Sequence, residues 1–210
     1  MQAVITKDVF RLYQAWKSLE EQNTMGAQVY LAADCGPLTL AEDFTFISSK
    51  MKGTRINSVR KDGFVIYFNE DTICSENGYG VTAKRAQAAD AVELLPIAYE
   101  LCLQGGFRCI EVNDSYIYSI ALDESGMAKI AGLIAKESQD LAIHFENGSV
   151  QLVIKEDKLE SIRFACDGEL DVLLTKVAVA LSAEVKLQDQ AQYLPYDIPE
   201  KVVEKLTKEE

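Results

Sequence analysis

The chain has 210 residues, with 33 Asp and Glu against 21 Lys and Arg, for a net charge of −12. So acidic a surface argues against nucleic acid, whose phosphates demand Lys and Arg, and against adsorption to an anionic bilayer by charge alone. At 48% hydrophobic the composition is ordinary for a globular protein, and the length suits one domain, 1–210, with a sizeable core.

The first element spans residues 6–22. Val9, Leu12, Tyr13, Trp16 and Leu19 recur at helical spacing, with Lys7, Arg11, Lys17 and Glu20 elsewhere. This predicts an amphipathic helix capped by Thr6 and ended by Asn23-Thr24-Met25-Gly26. Strands follow: Gln28 to Ala33, then Leu38 to Ser48 with Leu38, Leu40, Phe44 and Phe46 on one face, then Arg55 to Arg60. Asp62-Gly63 turns the chain into Phe64-Val65-Ile66-Tyr67-Phe68, and Thr72-Ile73-Cys74 leads to a turn at Asn77-Gly78-Tyr79-Gly80. Thr82 to Asp90 reads as a surface loop or frayed helical turn. A helix starts near Leu95, with Pro96 at its first position, runs through Ile97, Ala98, Leu101 and Cys102, and stops at Gly105-Gly106. Phe107 to Asp123 is a hairpin turned at Asn113-Asp114. Ser125 caps a further helix with Met127, Ile130, Ala131 and Ile134 as its buried stripe.

The longest patterned stretch is Leu141 to Leu187. Leu141 to Phe145, Val150 to Ile154 and Ile162 to Cys166 alternate. Turns are expected at Glu146-Asn147-Gly148-Ser149, Lys155 to Lys158 and Asp167-Gly168. Leu173, Thr175, Val177, Val179, Leu181, Ala183, Val185 and Leu187 then give a last strand with one small or apolar face. Its odd-numbered residues and the even-numbered ones up to Cys166 should face the same helices, with the phase changing at Asp167-Gly168. Tyr193 to Glu200 is an extended Pro-bearing segment, followed by a short charged helix.

The chemistry-bearing residues are few. Cys35, Cys74, Cys102, Cys109 and Cys166 match no zinc spacing. They read as small core residues, with Cys35–Cys74 and Cys102–Cys109 bridges left open for an oxidising compartment. His144 is the one histidine. It stands out of phase with Phe145, so an outward side chain is expected rather than a catalytic pair with Cys166. Glu42-Asp43, Asn69-Glu70-Asp71 and Glu156-Asp157 lack calcium-loop spacing and read as solvated turns. No cofactor and no metal is expected. Met1-Gln2-Ala3 leads straight into the first helix, which fits a cytoplasmic protein or one whose leader has been trimmed.

The order helix, long meander, helix, hairpin, helix, long meander and Asp-x-Pro-Glu extension resembles the LolA-like family of cell-envelope lipid and lipoprotein carriers, particularly its LppX/LprG-like branch. Three places carry the resemblance: Tyr13 and Trp16 running into the Val29-Tyr30-Leu31 strand, the Leu95-Pro96-Ile97 helix, and the last strand into Tyr196-Asp197-Ile198-Pro199-Glu200. It implies an α+β fold, a strongly curved antiparallel sheet forming a half-open barrel wrapped around packing helices. It also implies an acyl chain or similar apolar ligand between sheet and helices. Membrane association would come only through an N-terminal lipid anchor absent from this chain. The residues expected to line such a site are Phe44, Phe46, Ile66, Phe68, Tyr116, Tyr118, Val150, Leu152, Ile162 and Phe164 on the sheet. Leu12, Trp16, Leu101, Ile130 and Ile134 would face them from the helices. The expected function is a non-catalytic envelope protein that binds a lipid, with a filled-core protein-interaction module as the alternative.

Overall fold

The structure, a computed structural model, describes residues 7–69, 72–77, 80–85, 107–123, 126–127, 143–172, 175–188 and 197–207. Helix α1 is Lys7–Glu20, and strands β1 (Thr24–Cys35), β2 (Leu38–Met51), β3 (Thr54–Lys61), β4 (Phe64–Phe68), β5 (Thr72–Asn77) and β6 (Gly80–Arg85) follow. Next come β7 (Phe107–Val112), β8 (Ser115–Leu122), β9 (Ile143–Lys155), β10 (Lys158–Val172) and β11 (Thr175–Gln188), and helix α2 is Glu200–Leu206. The fold is α+β, and the expected antiparallel sheet is present, with eleven strands among the described residues where about ten were expected.

Its order is β6-β5-β4-β3-β2-β1-β11-β10-β9-β8-β7. Two meanders therefore run through the chain, and its first and last strands meet in the middle of the sheet. The edges of this order are β6 and β7, so among the described residues the sheet is not closed into a barrel. No described helix is long and apolar enough to cross a membrane.

The contacts gather into two compact units. Unit 1 holds α1, Tyr30–Glu42, and β7 to β11 as far as Val185. Unit 2 holds Gln22–Val29, β2 from Asp43, β3 to β6, the end of β11 from Lys186, and α2.

Turn chemistry explains the hairpins. Asp62 and Gly63 have φ of 50° and 83°, Asn113 and Asp114 of 49° and 62°, and Glu156 and Asp157 of 50° and 60°. Paired positive φ values are what two-residue hairpin loops need to match strand twist. Lys52 and Gly53, at 49° and 85°, form another such turn that the sequence reading passed over.

Several expectations are corrected. Glu146-Asn147-Gly148-Ser149 and Asp167-Gly168 are not turns: they lie inside β9 and β10, with Cys166 opposite Gly148, Asp167 opposite Asn147 and Gly168 opposite Phe145. The register shift between Asp167 and Gly168 makes this a β-bulge, with Glu146 as the extra residue of β9. The phase therefore changes in β9, so that Phe145 and Val150 pack on the same core. Both glycines are needed for space. A Cβ at Gly148 would overlap Met127 Sδ and lie 2.9 Å from Leu122 Cδ1, and one at Gly168 would lie 2.6 Å from the His144 carbonyl oxygen. Thr82 to Arg85 belongs to β6, because pairing of Thr72–Asn77 with Gly80–Arg85 overrides weak local propensity. Thr24, Met25 and Gly26 open β1 instead of ending the helix. Cys35, Cys74, Cys109 and Cys166 are all free thiols, so neither bridge forms. Thr6, the Leu95–Gly106 helix with Leu101, and Ile130 and Ile134 lie outside the described residues.

Candidate functional site

In unit 1 the cross-strand register assembles most of the expected sheet residues. Tyr118 lies opposite Leu152 and Ile120 opposite Val150 between β8 and β9. Leu152 faces Ile162 and Val150 faces Phe164 between β9 and β10. Tyr116 sits opposite Ile154 on the same face. Helix α1 lays Leu12 and Ala15 on this face, and the cluster is buried down to 0% exposure at Tyr118 and 4% at Leu12. Expected Leu12, Trp16, Leu152 and Ile162 do meet, lining an apolar cleft together with Ala15, Ile154 and Leu159. Its accessible volume is about 10 Å³, room for about one water, against several hundred Å³ for a typical ligand pocket. Leu159 escaped the sequence reading because a register shift between Leu159 and Ser161 puts an odd-numbered residue on the even-numbered face.

Arg11 is the residue that unit 1 uses against expectation. It was assigned to the polar side of α1, yet it is 8% exposed. Its guanidinium carbon stacks 3.4 Å from the Tyr116 ring centroid. Its Nη1 donates to Asp8 Oδ1 at 3.2 Å and to the Tyr118 hydroxyl oxygen at 3.4 Å, and Asp157 Oδ1 lies 3.9 Å from Nε. The Tyr118 hydroxyl in turn donates to the Asp8 carbonyl at 3.2 Å. A buried cation needs partners of this kind, and these tie the start of α1 to β8. Burial pushes the Tyr118 phenol up to about 12, against the downward pull of the Arg11 hydrogen bond. Elsewhere in the unit, burial and the neighbouring Asp167 charge lift the Cys166 thiol to about 11, and His144 is exposed on the strand. A thiol so reluctant to ionise is a poor nucleophile.

Unit 2 is built differently. Asn69 locks its helix in place: the side-chain Nδ2 donates to the Leu206 carbonyl at 2.8 Å, satisfying the C-terminal end of α2, while Oδ1 accepts from Thr72 N at 2.8 Å. The short charged helix expected at the end of the chain is thus a core element. Val202, Val203 and Leu206, with Ile198, pack on Ile56, Tyr67 and Cys74, with Val65 and Met51 beside them.

The opposite face of the same strands carries Phe46, Val59, Ile66 and Ser75 in one cross-strand row. The next row is Ser48, Asn57, Phe68 and Ile73. Gln28 contacts the side chains of Asp43 and Thr45, so strand alternation puts Ala27 and Val29 with Phe44 and Phe46. The four expected residues Phe44, Phe46, Ile66 and Phe68 therefore do share a face, but it is the face away from α2. Phe64 joins them at 79% exposure and Ile66 stands at 44%. The signal for this was in the sequence: Phe64-Val65-Ile66-Tyr67-Phe68 is apolar at every position, the pattern of a strand with two apolar faces.

No protein-family model and no curated protein matches the chain. Among solved structures it is similar to a LolA superfamily protein from Nitrosomonas europaea, at 10% identity over 95% of this chain and 96% of that one, with a TM-score of 0.32. It is also similar to the lipoprotein LppX of Mycobacterium tuberculosis, at 8% identity over 91% and 97%, with a TM-score of 0.46. A DUF1329 family protein from Desulfovibrio piger matches at 8% identity over 91% and 94%, with a TM-score of 0.34. The likeness to LolA-superfamily and LppX structures is the one the element order suggested. At such identities it is a likeness of arrangement alone.

Proposed function

We propose that this is a non-catalytic protein that binds an acyl chain or similar apolar ligand, and that the ligand lies on the sheet face of unit 2 that turns away from α2, entering where Phe64 and Ile66 reach solvent. The observation that carries the reading is the two-faced strand set β2 to β5. An antiparallel sheet with one face packed on a helix ordinarily offers a polar second face to water. Here that face presents Phe44, Phe46, Val59, Phe64, Ile66 and Phe68, with Phe64 and Ile66 markedly exposed. A contiguous apolar patch of this sort marks a binding surface. A row crossing β1 to β5 spans about 19 Å at roughly 4.8 Å per strand, the scale of a long acyl chain. Each methylene removed from water contributes about 0.8 kcal/mol, so eight give about 6 kcal/mol before ordering costs.

With this reading goes a cell-envelope location, expected from the element order. The test is titration of the purified chain with a fluorescent fatty-acyl probe, alongside Ile66→Lys. Because Ile66 is half out of the fold, the variant should fold normally and bind at least tenfold more weakly. Unchanged affinity in the variant, or no saturable binding to the native chain, would sink the proposal. The packing of Leu12, Tyr118, Leu152 and Ile162 in unit 1 favours a second reading, a protein-interaction module that uses the same apolar face. Probe-free chain that forms a stable complex through this face, with no lipid uptake, would support it.

A further inference from the structure

We infer that the acyl site of unit 2 ends in a polar head-group site at Asn57, selective for a neutral lipid that carries a hydroxyl. The inference rests on the reading of the apolar face and deepens it. Asn57 stands in the row next to Phe46, Val59 and Ile66, between Ser48 on β2 and Phe68 on β4. It is 7% exposed, and its side-chain Oδ1 is buried with no hydrogen-bond partner among the described residues.

Buried polar groups are hydrogen-bonded in the great majority of folded proteins, and leaving an acceptor empty carries the full penalty of its desolvation. The chain contains an easy remedy that it does not use, since an apolar side chain at position 57 would continue the stripe of Phe46, Val59 and Ile66. A polar side chain kept at the end of an apolar stripe is the arrangement that orients a ligand with one polar end.

The missing partner must be a donor, because Oδ1 only accepts. Beside it, Ser48 Oγ accepts a hydrogen bond from Arg55 Nη1 at 3.1 Å. That leaves the Ser48 hydroxyl hydrogen free of this bond and able to point at a ligand oxygen. A hydroxyl matches both: its hydrogen goes to Asn57 Oδ1 and its oxygen accepts from Ser48. A carboxylate does not, because it would set a negative oxygen against the amide oxygen. A methyl ester supplies an acceptor and leaves Asn57 Oδ1 empty.

The experiment is displacement of the fluorescent acyl probe from the full chain by 1-monooleoylglycerol, oleate and methyl oleate, repeated with Asn57→Leu. All three share one chain and differ at the head. The native chain should prefer monooleoylglycerol over both methyl oleate and oleate by at least tenfold. In Asn57→Leu the preference over methyl oleate should disappear while methyl oleate itself still displaces the probe. Equal displacement by monooleoylglycerol and methyl oleate in the native chain would overturn the head-group site and leave the acyl face standing, with a buried water as the partner of Asn57. A tenfold preference for oleate would overturn it in favour of an anion site at Arg55. Failure of every lipid to bind would overturn the acyl site with it. The native-chain ratio decides even if the variant does not fold.

Discussion

Units 1 and 2 solve the same problem, an apolar sheet face, in opposite ways. In unit 1 the face made by Tyr118, Ile120, Val150, Leu152 and Ile162 packs against α1, and the described cleft between them holds about 10 Å³. Arg11, stacked on Tyr116 and bonded to Tyr118, fixes the start of that helix. In unit 2 the helix packs on one face, through Val202, Val203 and Leu206, and the apolar residues on the other face reach solvent at Phe64 and Ile66. The difference teaches that apolar patterning alone does not separate a face packed by a helix from one that reaches solvent. Tyr118 and Leu152 were as good candidates from sequence as Phe46 and Ile66, and they are core.

The contrast can be broken most forcefully at Leu12. Leu12→Ala empties the covered face and should destabilise the protein by about 3 kcal/mol. Ile66→Ala, at a half-exposed position, should change stability by less than about 1 kcal/mol. Urea unfolding of the two variants side by side makes the comparison, and similar losses would erase the distinction between a packed residue and one that reaches solvent.

A smaller effect is expected at the bulge. Gly148→Ala drives a Cβ into Met127 Sδ and Leu122 and should destabilise by about 2 kcal/mol, as overpacking does. Adding Met127→Ala should recover part of that loss. Strict additivity of the two changes would show that Gly148 is there for some reason other than space.

The smallest effect is a matter of pH. The Tyr118 phenol titrates near 12 in the folded chain against 10 ordinarily, so the folded state holds this proton more tightly than the unfolded one. The stability this confers is whole below pH 10 and is lost as the pH rises from 10 to about 12. Tyr118→Phe should shrink the fall in urea midpoint between pH 9 and pH 11.5. An unaltered fall would mean that Tyr118 does not carry the linkage.

Much of this was legible in the sequence, and the failures have physical causes. Asp62-Gly63 and Asn113-Asp114 were readable as turns because their backbones adopt positive φ. Asn147-Gly148 and Asp167-Gly168 look the same on paper, but their glycines admit neighbouring atoms instead of left-handed backbone, and no dipeptide signal separates the two uses. Arg11 was misplaced because helical periodicity assigns a charge to the outer face, and its partners Tyr116 and Tyr118 are over a hundred residues away. The stripe of Phe44, Phe46, Ile66 and Phe68 was found by period-two alternation. Its relation to α2 was not, because Val202, Val203 and Leu206 fall in a seven-residue helix too short and too charged to advertise a buried face. Asn57 passed as an ordinary polar strand residue, since burial without a partner is invisible in one dimension.

The most direct test of the central claim is photolabelling of the full chain with a diazirine-bearing fatty acid, followed by peptide mapping of the adducts. Saturable labelling of peptides from β2, β3 and β4, around Phe46, Val59 and Ile66, is the predicted result. Labelling concentrated on α1 and β8 to β10, around Leu12 and Leu152, would contradict it.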